Sequence, residues 1–156
     1  MLPSNLLTIE RINCGHTAAS KKRTLEEIGR LLSTASSELT PEAVFDRLLE
    51  RERLGSTGLG HGIGLPHARI TGVDRAYGAF IQLANGIDYD AIDKEPVDLV
   101  FGLLVPQEAT DEHLQLLAGL ASLFSNPEFC KKLRETNDLE AIRYTILNWD
   151  KFAESA

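Results

Sequence analysis

Five segments of the chain carry the pattern of hydrophobic and polar residues that is typical of amphipathic helices. Their approximate limits are residues 20–36, 40–55, 111–124, 126–136 and 137–149. The second segment has the clearest ends, because Thr40 is a good N-cap, Pro41 suits the first helical position and Gly55 suits the C-terminus. Thr110 and Asn137 are the predicted caps of the third and fifth segments.

Two further segments have the pattern of β-strands. Residues 76–84 alternate partially between apolar and polar side chains, as in a half-buried strand. Residues 97–106 are almost continuously apolar and end at a proline, which is typical of a strand covered on both faces. Residues 85–96 between them are rich in turn formers, with room for one short strand. Helices and strands are thus mixed, which predicts an α/β layered domain with a central sheet.

Composition indicates a soluble globular protein. With 156 residues, 43% of them hydrophobic and 25% charged, the chain fits one domain over residues 1–156 with a short flexible tail at 151–156. No apolar run approaches the ~18 residues that suggest a membrane span. Residues 1–15 also lack the pattern of a secretory signal.

Charge and cysteine content narrow the class further. The net charge of −7 argues against general binding to nucleic acid or to a membrane surface, because both need a basic face. Cys14 and Cys130 match no metal-binding spacing and are expected to be reduced thiols. We therefore expect a cytoplasmic protein that does not insert into membranes.

Residues 56–69, STGLGHGIGLPHAR, differ from the rest of the chain because four glycines follow one another at two-residue intervals. Two interpretations are open. The stretch is either a tight surface connection, in which glycine permits positive φ, or an anion cradle, because glycine leaves backbone N–H groups unshielded. A nucleotide-binding loop is disfavoured, since the stretch follows a helix and lacks the lysine of a phosphate-binding loop.

Two histidines and an arginine are the candidates for chemistry. His67 follows Pro66, which restricts the backbone and holds the imidazole in place. His113 falls in the first turn of the third helical segment, on its sheet-facing side, where helix N-termini attract anions. Arg51, near the end of the second helical segment, is the candidate third member. Each also has a plain structural interpretation: His67 as a surface histidine, His113 as a helix cap and Arg51 as a solvated charge. Arg69 is likewise either a site residue or a solvated charge.

The stretches RERLGSTGLGHGIGLPHAR (51–69), FIQLANGIDYDAIDKEPVDLVFGLLVP (80–106) and DEHLQLLAGLASLF (111–124) resemble a known family. They are similar to the type-2 IIA domain of the bacterial phosphotransferase system, the fructose–mannitol class, and within it to the nitrogen-regulatory branch. The similarity runs from about residue 6 to about residue 149. It implies an α/β/α sandwich in which a single mixed sheet is flanked by helices.

The resemblance also implies roles for individual residues. His67 would accept a phosphoryl group on Nε2 from an HPr-like carrier that is itself phosphorylated on histidine. His113 and Arg51 match the second histidine and the arginine of the family's active site. Members of the nitrogen branch regulate partner proteins according to phosphorylation state, with potassium transport or a sensor kinase as candidate targets. No cofactor or metal is expected, because the donor is already an activated phosphohistidine.

Phosphoryl transfer needs a positioned nucleophile and hydrogen-bond donors for the oxygens of the group in transit. Neutral imidazole is a competent nucleophile near pH 7. The predicted oxygen donors are the side chains of Arg51, His113, Ser56 and Thr57 and the backbone N–H groups of residues 62–68, among them Gly62 and Ile63.

Three departures from the nitrogen branch and two alternative functions stay open. His61, Gly64 and Ala68 stand where Asn, Ala and Gly are commoner, although none removes a residue that the chemistry requires. A sugar-specific IIA component would use the same fold to pass phosphate to a IIB domain during sugar uptake. A zinc enzyme would instead use His61, His67 and His113 as ligands with water at a fourth position, although their loop spacing matches no helical zinc motif.

Overall fold

A single six-stranded sheet forms the centre of this computed structural model, which describes the backbone of residues 2–155 and the side chains of residues 2–149. The strands are β1 (Ile12–His16), β2 (Gly58–Gly60), β3 (Ile63–Gly64), β4 (His67–Ile70), β5 (Tyr77–Ile87) and β6 (Val97–Pro106). Their order is β1-β5-β6-β3-β2, and β4 pairs with β6 as well. The β5–β6 and β2–β3 pairs are antiparallel and the other pairs parallel, so the sheet is mixed, as expected.

All five predicted helices are confirmed, with ends shifted by a few residues. They are α1 (Lys21–Ser33), α2 (Pro41–Arg53), α3 (Asp111–Phe124), α4 (Pro127–Glu135) and α5 (Leu139–Ser155). Thr40 caps α2 as predicted, because its hydroxyl accepts the N–H of Ala43. The predicted cap of α5, Asn137, is wrong. The carboxylate of Asp138 accepts the N–H of Ala141 at 2.9 Å, and this satisfies the first turn one residue later.

The helices cover both faces of the sheet. Ile28 of α1 and Leu48 of α2 belong to one buried cluster, together with Val100 of β6. Phe124 of α3 belongs to a second buried cluster, together with Phe101 of β6 and residues of α4 and α5. Neighbouring residues of β6 thus contribute to opposite layers, which explains its nearly continuous apolar sequence and confirms the α/β/α sandwich.

The glycine-rich stretch is mostly buried and part of the sheet, so its interpretation as a surface connection is wrong, although Gly60 and Gly62 do adopt the positive φ that this interpretation expected. Residues 58–60, 63–64 and 67–70 form β2, β3 and β4, and their glycines permit close packing. A Cβ on Gly64 would lie 3.2 Å from the ring of Tyr89, and one on Gly58 would lie 2.8 Å from Cβ of Ala91. A side chain at position 58 would therefore displace the backbone at Ala91, whereas one at position 64 would require the Tyr89 ring to move by a few tenths of an ångström.

Other expectations concern the termini and the thiols. The predicted flexible tail falls on residues 151–156, which lie outside the side chains that the structure describes. Cys14 and Cys130 are both free thiols, as predicted. Among the described helices, none is long and apolar enough to cross a membrane.

Candidate functional site

The three candidate residues line one cavity of about 380 Å³. Arg51 comes from the last turn of α2, His67 is the first residue of β4, and His113 lies in the first turn of α3. The cavity therefore forms where the C-terminal end of one helix, the start of a strand and the N-terminal end of another helix meet. The structure brings the three side chains together although they span more than sixty positions of the sequence.

Backbone contacts fix the ring of His67. Its Nδ1 lies 2.8 Å from the carbonyl oxygen of Leu65. Because a carbonyl only accepts hydrogen bonds, Nδ1 carries the proton and Nε2 is left with a free lone pair. The strand is held as well, since the N–H of Leu103 on β6 donates to the carbonyl of Pro66 at 2.9 Å. The half-buried imidazole is thus held as one tautomer, with Nε2 as its nucleophilic atom.

The surroundings of His67 favour the neutral ring. Burial, followed by the positive charge of Arg51, lowers the pKa of His67 below its ordinary value of 6.5, although the hydrogen bond to Leu65 and the carboxylate of Glu52 oppose this shift. Desolvation and a nearby positive charge both disfavour a second positive charge on the imidazole. Near pH 7 the lone pair on Nε2 is therefore available.

The lowered pKa is directly testable. We expect the ring of His67, followed by NMR as the pH changes, to titrate with a midpoint below 6.5. In Arg51→Ala the midpoint moves upward, because removing a positive charge makes protonation easier. A wild-type midpoint above 6.5, or a downward movement in the variant, would contradict this description of the site.

The cavity is positively charged in a protein of net charge −7. Arg47 and Arg69 line it together with Arg51, whereas Glu50 is its one carboxylate. Arg51 is held by a hydrogen bond of 2.9 Å from Nη1 to the carbonyl of Gly55. Arg47 donates to the carbonyl of Arg69 at 2.9 Å and pairs with Glu50. Such a concentration of guanidinium groups suits a phosphate or carboxylate ligand.

His113 both caps α3 and lines the cavity. Its Nδ1 accepts the backbone N–H of Thr110 at 3.0 Å and so caps α3. The neutral ring that accepts at Nδ1 carries its proton on Nε2, which makes that atom a hydrogen-bond donor. The capping interpretation and the candidate site are therefore compatible, because the cap selects the tautomer that donates.

The two predicted hydroxyl donors are engaged elsewhere. Ser56 donates to the carbonyl of Tyr89 at 3.1 Å and accepts the N–H of Gly58. The hydroxyl of Thr57 is buried against the carboxylate of Glu52. Neither residue lines the cavity, because the turn after α2 directs both side chains into internal hydrogen bonds.

The structure also keeps Gly62 and Ile63 away from His67. Ile63 is buried in the core and pairs with Leu99 of β6, whereas His67 pairs with Leu103. Four residues of strand correspond to about 13 Å. Gly62 lies instead beside the ion pair of Asp98 and Arg134. Neither residue lines the cavity, so we assign them no contact with a ligand bound there.

His61 lies at a different surface from His67 and His113. It lines a separate cavity with Asp93 and Arg134, and its backbone N–H donates to Asp93 at 2.9 Å. The three imidazoles of the zinc hypothesis therefore do not converge. Within the described part of the chain, no group of three or more His, Cys, Asp or Glu side chains is arranged to hold a metal ion.

Sequence patterns did not single out four residues around the cavity, namely Arg47, Glu50, Leu54 and Leu114. The first three recur with Arg51 at three- and four-residue intervals, so they share one face of α2. This helical spacing from Arg51 is the sequence feature from which they could have been identified. Leu114 follows His113 directly, and its exposure of 57% is set by the packing of α3 rather than by a local pattern.

Comparison with known proteins identifies the class. A family model described as "Phosphoenolpyruvate-dependent sugar phosphotransferase system, EIIA 2" matches residues 5–149. The chain belongs to this family, which confirms the resemblance inferred from residues 51–124, and it is therefore a phosphotransfer component of that system.

Within the family, the chain is similar to nitrogen regulatory proteins. It is 38% identical over 143 residues to the nitrogen regulatory protein of Pseudomonas aeruginosa, covering 92% of this chain and 93% of the relative. The crystal structure of nitrogen regulatory protein IIA-Ntr from Neisseria meningitidis superimposes with a TM-score of 0.86 at 43% identity. The match covers 91% of this chain and 97% of that one. A fructose-specific EIIA component from Haloferax volcanii is 34% identical over 140 residues, which cover 90% of this chain and 91% of the relative.

Proposed function

We propose that the protein is a cytoplasmic, single-domain phosphocarrier that accepts a phosphoryl group on Nε2 of His67 and regulates partner proteins according to its phosphorylation state. The observation that carries the proposal is the arrangement at His67. Its Nδ1 is bound to the Leu65 carbonyl and its pKa is lowered by burial, at a cavity that also holds Arg51 and His113. The similarity to nitrogen regulatory proteins supports the regulatory role.

The transfer step follows from the tautomer of His67. The lone pair on Nε2 attacks the phosphorus of a phosphohistidine on an HPr-like carrier. The new bond joins Nε2 to phosphorus, while the bond between phosphorus and the carrier's nitrogen breaks and its electron pair returns to the carrier's imidazole. The proton on Nδ1 remains hydrogen-bonded to Leu65 throughout. Because the phosphorus is already activated, we assign no cofactor to the step.

Arg51 and His113 supply the charge and hydrogen bonds that the moving group needs. The guanidinium of Arg51 is permanently charged and presents several donors to phosphate oxygens. The Nε2–H of His113 adds a neutral donor. Donors that are already oriented before the reaction stabilise developing charge without reorganising, and both side chains are held in place by backbone hydrogen bonds.

Two exposed leucines suit docking of the carrier. Leu54 and Leu114, which are 84% and 57% exposed, lie among the residues that line the cavity. Large apolar side chains next to a reactive group provide anchors for a protein partner, and the nearby arginines attract its phosphoryl group. This arrangement favours a protein donor that places its own phosphohistidine into the cavity.

Leu114→Glu tests the docking surface. We expect the carrier concentration at half-maximal transfer rate to rise about tenfold or more, because an apolar anchor is lost and a negative charge opposes the incoming phosphate. The maximal rate changes little, since Leu114 is assigned no contact with the phosphoryl group. Initial rates of label transfer over a range of carrier concentrations measure both quantities.

Ile92→Glu is the matched control for this measurement. Ile92 is 84% exposed but does not line the cavity, and it carries the same change of charge. The control is expected to behave as wild type. Equal effects of the two substitutions would mean that net charge, rather than contact at the cavity, governs carrier binding.

Phosphorylation would switch the surface that partners bind. A phosphoryl group adds about −1.5 to −2 charges near pH 7, next to the three arginines that line the cavity. A target that recognises the basic cavity binds the free form, and one that needs the phosphate binds the other form. Potassium transport and sensor kinases are the candidate classes of target.

A sugar-specific IIA component is the second candidate function, favoured by the similarity to the fructose-specific relative. Labelled phosphoprotein distinguishes the two functions. Transfer of label to a IIB domain in the presence of a sugar would support transport. State-dependent binding of a purified target, lost in His67→Ala under phosphorylating conditions, would support regulation.

A further inference from the structure

A buried polar cluster lies next to the cavity along α2. Glu52, the residue after Arg51, is 8% exposed. Its carboxylate binds the ammonium group of Lys21 at 2.9 Å and accepts the hydroxyls of Thr57 and Tyr89. A buried carboxylate is stable only when it is paired and hydrogen-bonded, and these three side chains supply both conditions. Glu52 is thus held in place by Lys21 of α1 and by the hydroxyls of Thr57 and Tyr89.

The backbone of Thr57 connects this cluster to His67. Its N–H donates to the carboxylate of Glu52 at 3.1 and 3.3 Å, which ties the following chain to the end of α2. Its carbonyl accepts the N–H of Leu65 at 3.0 Å. The carbonyl of Leu65 in turn fixes Nδ1 of His67. A continuous series of hydrogen bonds therefore runs from Glu52 to the imidazole.

The same connection determines the position of Arg51. The turn between Glu52 and Thr57 contains Gly55, whose carbonyl accepts the hydrogen bond from Nη1 of Arg51. Glu52 is covalently bound to one end of this turn and hydrogen-bonded to the other. Loss of the Glu52–Thr57 contact would free the turn to move, and with it the Gly55 carbonyl that orients the guanidinium of Arg51.

We infer that Glu52 is a positioning residue for phosphoryl transfer, which holds the guanidinium of Arg51 and the imidazole of His67 in fixed relative positions through Thr57. The inference rests on the proposed function and concerns a residue that lines no part of the cavity. The ammonium group of Lys21 is the cation that pairs with the carboxylate. The charged or titratable groups that line the cavity with the His67 ring are Arg47, Glu50 and Arg51 on α2, Arg69 on β4 and His113 on α3, and the carboxylate of Glu52 on α2 also acts on the ring.

Glu52→Gln tests the inference, because the side chain keeps its length but loses its charge, and its single acceptor oxygen cannot serve both Lys21 and the hydroxyls of Thr57 and Tyr89, which bind opposite oxygens of the carboxylate. We expect the transfer rate at saturating carrier to fall about 10- to 100-fold, as small misplacements of reacting groups do. The carrier concentration at half-maximal rate stays unchanged. The midpoint of the His67 ring titration falls, since the carboxylate favours the protonated ring. This shift reports the lost charge, whereas the fall in maximal rate at an unchanged half-maximal carrier concentration reports the positioning role.

Glu27→Gln is the matched control. Glu27 is also a poorly exposed carboxylate, at 13%, and it also pairs with a cation, Arg30, but it lies on α1 and lines no part of the cavity with His67. We expect both the rate and the His67 midpoint of this variant to match wild type.

Thr57→Val provides a second variant, which keeps the backbone N–H and the shape of the residue but removes the hydroxyl. We expect a smaller loss of rate, and this variant decides the question if Glu52→Gln does not fold. A folded Glu52→Gln with a wild-type rate at saturating carrier would overturn the inference whatever its midpoint, as would a wild-type rate in Thr57→Val if that variant has to decide. If the wild-type protein takes no label at all, the proposed function fails instead, and the ring titration still tests whether the Glu52 carboxylate acts on the His67 imidazole.

Discussion

The variant His67→Ala is expected to lose phosphorylation by the carrier completely while it keeps the fold. No other imidazole that lines the cavity has its Nε2 free as a nucleophile, because the Nδ1 of His113 accepts the Thr110 N–H and its proton therefore lies on Nε2. The cost to stability is small, since the ring contributes one hydrogen bond, worth about 1 kcal/mol. For a chain of this length that corresponds to a fall in Tm of about 2–4 °C.

Label transfer from the phosphorylated carrier and thermal unfolding measure the two parts of this prediction. His61→Ala is the matched control, because His61 lies at another cavity, and it is expected to take up label at the wild-type rate. Uptake at the normal rate by His67→Ala would exclude His67 as the acceptor. A collapse of its Tm would instead show that the ring is a major part of the core.

The variant Arg51→Ala is expected to slow transfer about 100- to 1000-fold, the usual cost of removing one oriented donor to developing charge. Arg51 is the arginine whose charge acts on the His67 ring, and the hydrogen bond to Gly55 orients it before the carrier arrives. Single-turnover rates at saturating carrier separate this effect from docking. A rate within a few-fold of wild type would mean that other arginines replace it.

Arg53→Ala and His113→Ala are the variants with which the transfer rate of Arg51→Ala is compared. Arg53 is an exposed arginine at the same end of α2 that does not line the cavity, so its removal is expected to leave the rate unchanged. His113→Ala removes a neutral donor and is expected to slow transfer less than Arg51→Ala, with some labelling left. If the transfer rate of His113→Ala equals that of wild type, the role of His113 is limited to capping α3.

The fold was predictable where structure depends on local periodicity. The five helices and β6 follow from side-chain spacing and caps, which act over a few residues. Strands β1 to β4 were missed because they are short, and β2 to β4 are also rich in glycine. Strands β1, β3 and β4 exist because β5 and β6 offer pairing partners that are distant in sequence, and no local pattern records such partners. Strand β2 pairs with β3, which itself depends on β6.

The positions of the three main candidate residues were predictable from the sequence, whereas those of the hydroxyl and backbone donors were not. His67 is indicated by the preceding proline, His113 by its place in the first turn of a helix, and both of them and Arg51 by the family resemblance. The structure brings the three residues to one cavity. Thr57 and Gly62 are close to His67 in sequence, yet hydrogen bonding and strand register direct them elsewhere. Which way a hydroxyl or an N–H points depends on tertiary contacts, and sequence proximity does not reveal it.

The central claim is that Leu65 holds the proton of His67 on Nδ1, so that Nε2 receives the phosphoryl group. The most direct test is a long-range 1H–15N NMR correlation of the 15N-labelled phosphoprotein, which assigns the phosphorylated nitrogen. We predict phosphate on Nε2 of His67 with the proton retained on Nδ1. Phosphate on Nδ1 of His67, or on any other residue, would contradict the mechanism.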